Sequence, residues 1–314
     1  MKGTVKISII LLIIAIAVSS CLVKTTKPLP SATPQEDGID LSGQNATLQA
    51  IISEQEAMLE SLKTLSAPLQ PTDTLLPQET EPPIYTEDST TIDSKGLVLT
   101  LPFAVAQGAF VDTIPADGPD EGWPEFALPA RRTISFSGYA VENHFHTPMI
   151  YVYPLGEMIN DGKFGGSMAF ILRTLLENPG FDLQAEENLP FLPPFNAAQM
   201  FHVLEQRLES EHTMAIRYLT LYSQAYVAID NYNVFYTFQG LSKDGRYYIA
   251  AVLPINSSLL SDTQATNEEL EQYSKYYPAY IHGMRDMMTT QNGGVLTPRL
   301  EALDAMMLSL VSFD

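Results

Sequence analysis

His144-Phe145-His146 is the one place in the chain where two imidazoles stand at a metal-ligand spacing. They follow a segment of strand character, and residues two apart on a strand point to the same face, about 7 Å apart. Two such rings could share a zinc ion if an acid such as Glu142 or Glu157 completed the set. A solvated strand edge, with its histidines facing water, accounts for the same pair without a metal. His202, His212 and His282 are scattered and show no ligand spacing. No H-E-x-x-H, C-x-x-C or D-x-D-x-D-G run occurs, so the sequence supports neither a zincin nor an EF-hand. There is no G-x-S-x-G elbow. Gly165-Gly166-Ser167 opens a helical stretch and could offer N–H groups to an anion, yet it lacks the lysine and the other glycines of a phosphate loop; a flexible helix start explains it. Acid pairs such as Asp120/Glu121, Glu186/Glu187 and Glu268/Glu269 are expected in so acidic a chain. A glycosidase would need two carboxylates converging across a cleft, which a sequence does not display. The residues therefore assign no catalytic group and no cofactor, and no metal site beyond the candidates His144 and His146.

Tyrosine is the enriched chemical feature. Tyr218, Tyr222 and Tyr226 recur along one segment, and Tyr232, Phe235, Tyr236 and Phe238 crowd another. Cross-strand packing explains most of these. Tyr273, Tyr276, Tyr277 and Tyr280 differ: on a helix their spacing sets phenols around much of the circumference, more than one buried face needs. An exposed aromatic patch there would face a protein or glycan partner.

The remaining reactive residue is Cys21, the only cysteine in 314 residues. Lys2 and Lys6 precede an apolar run from Ile7 to Val18, and Val18-Ser19-Ser20-Cys21 follows. This is a charged segment, an apolar segment and a small-residue junction, in the order of an export signal. The apolar run is shorter than the roughly 20 residues that span a bilayer. Because the junction ends on a thiol, the leader resembles the lipobox of bacterial lipoproteins. That resemblance implies a diacylglyceryl thioether on Cys21, cleavage before it, and acylation of the new amino terminus with a chain such as palmitate. The covalent lipid would be the only added group. It would place residues 21–314 outside the cytoplasm, in the cell envelope, fixed to a membrane.

With one cysteine there is no intrachain disulfide, so an exported domain must rely on its hydrophobic core. The formal net charge is −20, from 37 acidic and 17 basic residues. Such a balance repels phosphate backbones and argues against a nucleic-acid partner. Residues 21–94 read as a tether: Lys27-Pro28-Leu29-Pro30, Pro68 to Pro71 and Glu79-Thr80-Glu81-Pro82-Pro83 are rich in proline, threonine and acid, a composition that buries too little apolar surface to order itself. One helical island lies near 45–65, with Leu48, Ile51, Ile52, Met58, Leu59, Leu62 and Leu65 on one stripe. It is too short to be stable alone and would need its own domain or a second copy.

The globular part, 95–314, alternates strands and helices. Gly96 to Val105, Arg132 to Val141 and Pro148 to Tyr153 read as strands, with a turn-rich loop from Asp117 to Pro124. Phe164 to Leu176 reads as a helix closed by Asn178-Pro179-Gly180. Asn196, with Gln199 as capping-box partner and Phe195 stapled on Met200, predicts a helix that buries Met200, Val203, Leu204 and Leu208. Thr213 to Tyr226 is strand-like, and Val234 to Gln239 with Arg246 to Pro254 predicts a hairpin. Thr266 and Glu269 form a capping box before a long helix kinked by Pro278. Thr297, with Pro298 at the first position, should cap a last helix burying Leu300, Leu303, Met307, Leu310 and Val311. The expected class is α+β, a mostly antiparallel sheet packed with helices.

Three segments, Leu97-Val98-Leu99-Thr100-Leu101-Pro102-Phe103, the hairpin Phe235 to Val252, and Leu310-Val311-Ser312-Phe313, resemble the PsbP-like fold. The resemblance covers about 95–314; that family includes extrinsic photosystem proteins and many bacterial lipoproteins of unknown role, and its members work as binding or assembly factors, which is the role the resemblance implies. The family's tryptophan shortly after the first strand has no direct counterpart, since Trp123 lies some twenty residues on. The combined expectation is a membrane-tethered, non-enzymatic binding or envelope-assembly domain. The alternative is a surface hydrolase, metal-dependent through His144 and His146.

Overall fold

In the computed structural model, residues 88–118, 124–160 and 163–312 are described. They belong to a single compact unit. Cys21, the 45–65 helix, Trp123 and the stretch 21–87 lie outside the described residues.

Alternation of apolar and polar side chains builds the sheets. In Leu97–Pro102 (β2), Leu97, Leu99 and Leu101 are fully buried while Thr100 faces water. This period of two is what a strand with one wet face requires. β2 pairs on one edge with Ser89–Ser94 (β1) and on the other with Val311–Ser312 (β12). β1 falls within the residues read as tether, so the folded part begins earlier than position 95. Its polar residues lack an apolar run, and only the partner strand reveals them.

The main sheet has seven strands. In chain order they are Gly108–Ile114 (β3), Arg131–Ser137 (β4), Met149–Pro154 (β5), Ala198–Glu209 (β6), Thr213–Ser223 (β7), Phe235–Ser242 (β8) and Tyr247–Pro254 (β9). Across the sheet they run β3-β4-β5-β9-β8-β7-β6, and every pairing is antiparallel. The domain is therefore α+β with mostly antiparallel sheets. Asn256–Ser257 (β10) and Leu296–Thr297 (β11) form a separate two-stranded ladder.

Each face of the large sheet carries its own core. On one, Tyr153, Ile216, Tyr218, Leu241, Tyr248 and Ala250 are covered by Leu155–Asn160 (α1) and Phe164–Glu177 (α2), through Met158, Leu172 and Leu176. On the other, Ile150, Val152, Leu219, Tyr236, Phe238, Ile249 and Ala251 meet β2 and Leu300–Leu308 (α5). Asn267–Lys275 (α3) and Tyr277–Thr290 (α4) complete the described helices, and α4 lies against β6.

Residues 198–209 overturn the expected second helix. They form a strand whose register slips between Gln199 and Phe201 and again between Val203 and Gln206, with Leu204 in the left-handed region at φ 57°. Each slip adds a residue and resets which side faces in. Apolar positions 200, 203, 204 and 208 thus acquire three- and four-residue spacings that imitate a helix. Asn196 caps nothing: its carbonyl accepts from Gln224 Nε2.

Three smaller differences follow from local chemistry. Gly108–Ile114, read as no element, is the edge strand beside β4. The Thr266–Glu269 capping box is present, but the long helix is broken at Tyr276 rather than kinked. Pro278 lies in the first turn of α4, where its missing N–H is harmless. Thr297 pairs with Asn256 in a ladder, and α5 starts only at Leu300 with Arg299 as N-cap.

Candidate functional site

His144 and His146 lie in the loop between β4 and β5, not on a strand. The loop is pinned by Phe145 N–H donating to the Tyr232 carbonyl at 2.8 Å. The backbone N–H of His146 donates to His144 Nδ1 at 3.0 Å, which fixes Nδ1 as an acceptor. Nε2 must then carry the proton, and it donates to the Val234 carbonyl at 2.8 Å. Both nitrogens of His144 are thereby engaged, and a metal there would have to displace two hydrogen bonds. Burial lowers the His144 pKa, against the opposing effect of these two bonds.

His146 serves as an aromatic ring. It stacks on Phe195 at 5.1 Å and 7° and meets Phe235 and Phe145 edge-on at 4.6 and 4.9 Å. Burial, and then the charge of His144, push its pKa down to about 4, so the ring is neutral at physiological pH. Glu142 is exposed. Glu157 follows the far end of β5, a strand of six residues, so roughly 20 Å separates it from the histidines. Among the described residues no three His, Cys, Asp or Glu side chains gather at metal distance.

The wall behind His146 is held by one side chain. Gln239 on β8 is fully buried. Its Oε1 accepts from Leu192 N–H (3.0 Å) and the Tyr248 hydroxyl (2.7 Å), and its Nε2 donates to the Leu192 carbonyl (3.1 Å) and Thr237 Oγ1 (2.8 Å). The Tyr218 hydroxyl adds a bond to the Pro190 carbonyl at 2.8 Å. These fasten the segment carrying Phe191 and Phe195 onto the sheet, where Phe191 stacks on Tyr222 at 4.5 Å.

The four helical tyrosines divide by role. Tyr277 is buried, and its hydroxyl donates to the Val227 carbonyl at 3.0 Å. The Tyr280 hydroxyl accepts from Ile229 N–H at 2.8 Å, and burial raises its pKa to about 12. Tyr273 stacks on Tyr280 at 4.5 Å and 14°. Tyr276 is 74 % exposed. Tyr226, on the loop these phenols hold, lies 4.5 Å from Tyr277 and is 55 % exposed. Tyr226, Tyr273, Tyr277 and Tyr280 form a continuous ring cluster, with two members anchoring the loop at 226–230; Tyr226 and Tyr276, the latter next to Tyr277 in the chain, are presented to solvent. The adjoining α3 carries Glu268, Glu269 and Glu271 against Lys275.

Gly165 and Gly166 allow α1 and α2 to approach closely. A Cβ on Gly166 would lie 2.9 Å from the Met158 carbonyl oxygen, and one on Gly165 would lie 3.1 Å from Leu128 Cδ2.

Two buried charge clusters escaped the sequence reading. Arg217 donates to the Leu204 carbonyl, to Gln206 Oε1 (2.6 Å) and to Asp304 Oδ2 (3.4 Å), and Asp304 also accepts from the Tyr236 hydroxyl (2.9 Å). This joins α5 to the sheet and to the bulge at Leu204. His202 engages Glu205 through Nδ1 and the Glu186 carbonyl through Nε2 (3.0 Å). Burial pushes the Glu205 carboxyl up, but the His202 bond, a backbone N–H and the charges of His202 and Arg285 outweigh it and leave its pKa below the usual value.

A cleft of about 390 Å³ opens beside the end of β5, with Arg131, Arg132, Arg246 and Tyr247 among its walls. Register explains the convergence: Arg132 pairs with Val152, and Pro154 pairs with Tyr247. The Arg131-Arg132 doublet in an acidic chain was the one available signal. Its meeting with Arg246 depends on a strand order that no local pattern encodes.

No protein-family model matches this chain. No curated protein matches it either. Function must be argued from its own residues.

Proposed function

We propose that the chain is a lipoprotein, anchored through Cys21 to a bacterial membrane and facing outside the cytoplasm, whose globular part binds a partner or assists an envelope assembly rather than catalysing a reaction. The observation that carries the binding reading is the tyrosine cluster of Tyr226, Tyr273, Tyr277 and Tyr280, with the exposed Tyr276 next to it in the chain. Rigidly held phenols offer large amphipathic contact area at low entropic cost, and tyrosine is enriched where interfaces concentrate binding energy. Two of these side chains are locked by hydrogen bonds to the backbone, and their neighbours Tyr226 and Tyr276 are more than half exposed. The leader ending at Cys21 supports the anchor. The PsbP-like resemblance rests on β2, the β8–β9 hairpin and the end of the chain. Val311 of β12 pairs with Val98 of β2, so two of the three segments are neighbours.

The hydrolase alternative draws on His144 and His146, and the hydrogen bonds at both nitrogens of His144 weigh against it. The test uses the full chain in its own cells, with a photo-crosslinking amino acid at position 276 and, as control, at the exposed position 177 that ends α2. A discrete adduct of one mass at 276, weakened by Tyr226→Ala, is expected. Equal, diffuse labelling at both positions would remove the tyrosine surface as the binding site.

A further inference from the structure

Phenols and carboxylates meet at one end of the fold. α3 and the residues leading into it carry Asp262, Glu268, Glu269 and Glu271 against the single base Lys275. Every residue of α3 is exposed or half-buried. Nine residues are too few for a helix to persist alone; capping and a ring stack hold this one. Thr266 and Glu269 exchange hydrogen bonds in the capping box, and Tyr273 stacks on Tyr280 of α4 at 4.5 Å. Bonds from the Thr266 backbone and hydroxyl lower the Glu269 pKa, so its carboxyl stays ionised. Glu268, Gln272 and Tyr276 stand four residues apart along one line of the helix. Tyr276 continues that line, because its backbone N–H donates to the Tyr273 carbonyl at 3.1 Å. All three are exposed, and about 12 Å of rise separates Glu268 from Tyr276.

We propose that the tyrosine surface binds a lysine- or arginine-bearing segment of a partner protein. This rests on the tyrosine cluster as the binding site and names the chemistry of what occupies it. A cation above an exposed phenol is attracted by the ring face, and the carboxylates alongside add opposite charge. A neutral glycan would gain from the rings and nothing from the acids. Anionic partners are repelled by α3 and by the net charge of −20. An extended basic segment places side chains four residues apart on one side, at about 13 Å, close to the separation of Glu268 from Tyr276. Complementary charge steers the encounter and selects the partner. The rings fix where the segment lies: Tyr277 and Tyr280 are already bonded to the 226–230 loop, so little ordering remains to oppose binding.

Calorimetric titration of the full-length protein tests this, with octalysine, the same peptide acetylated on every side chain, and cellohexaose as probes. The unaltered protein should bind octalysine saturably. Tyr276→Ala and Glu268→Gln should each weaken that binding at least about fivefold, and added salt should weaken it further. Both side chains are exposed, so their loss leaves the core intact. Glu211→Gln removes the same charge from a side chain 88 % exposed between β6 and β7, and it should change little. The assignment is overturned if octalysine does not bind, if Glu211→Gln weakens it as much as Glu268→Gln, or if the acetylated peptide or cellohexaose binds as tightly. A discrete crosslinked adduct at position 276 together with any of these results would remove the basic partner and leave the tyrosine surface standing. Diffuse labelling at 276 would remove both.

Discussion

Replacing Gln239 with leucine should detach the wall behind His146. Leucine matches the bulk of the side chain but cannot bond, so Leu192 N–H, the Leu192 carbonyl and the Tyr248 hydroxyl all lose their partner. Each of these residues is fully buried, and an orphaned buried polar group costs roughly 1–3 kcal/mol. Three such groups set a loss of about 3 kcal/mol or more, limited by the ease with which the segment lifts away and hydrates. For a domain of this size the urea dependence is about 2–3 kcal/mol per molar, so the unfolding midpoint should fall by about 1 M with an unchanged slope. The damage should also be local. Phe195 would leave the His146 ring, and the His146 pKa, held at about 4 by burial and by His144, would climb toward the free value of about 6.5. Urea denaturation followed by tyrosine fluorescence gives the first quantity, and histidine proton NMR against pH gives the second. A midpoint shift below about 0.3 M, or a His146 titration that does not move, would refute the role given to Gln239.

His146→Phe should flatten the acid limb of stability. The folded pKa lies below the unfolded one, so the unfolded chain binds more protons between about 6.5 and about 4. The stability tied to this ring is therefore complete above about 6.5 and declines as pH falls through that window, by an amount on the order of 2–3 kcal/mol. Thermal melts should show the wild-type midpoint falling more steeply than that of the variant across it. Tyr280→Phe removes the acceptor for Ile229 N–H and should cost about 1–2 kcal/mol, with faster amide exchange confined to the 226–230 loop. Purified full-length protein, equilibrated with zinc and dialysed, should have the same metal content as His144→Ala/His146→Ala. Stoichiometric zinc lost in the double variant would favour the hydrolase reading instead.

Much of the framework was legible because local pattern and tertiary environment agree. In α2, Met168, Leu172, Leu175 and Leu176 repeat on one face at helical spacing, and all four are buried. Arg246 to Pro254 and the strand before it follow β-branched and aromatic runs, and the Thr266–Glu269 box is a local bonding pattern that a sequence can display by itself. Failure came where backbone irregularity resets the period. The slips in β6 made Met200, Val203, Leu204 and Leu208 look helical, and Thr297 looked like a cap although β10 claims it. The tyrosine row was visible, but which phenols are buried depends on the 226–230 loop, about fifty residues away in sequence. The arginine cleft was invisible for a similar reason: Arg132 and Arg246 meet only because β9 inserts beside β5.

Whether this domain works from a membrane is decided most directly by the intact mass of the full-length product extracted from its own cell membranes. Anchoring through Cys21 predicts a chain that begins at Cys21 and carries the added mass of a diacylglyceryl group and an amide-linked acyl chain, with Cys21→Ser keeping residues 1–20 and gaining no lipid. A wild-type mass that retains Met1 to Ser20 and shows an unmodified thiol would contradict the anchor, and with it the account of a tethered binding domain.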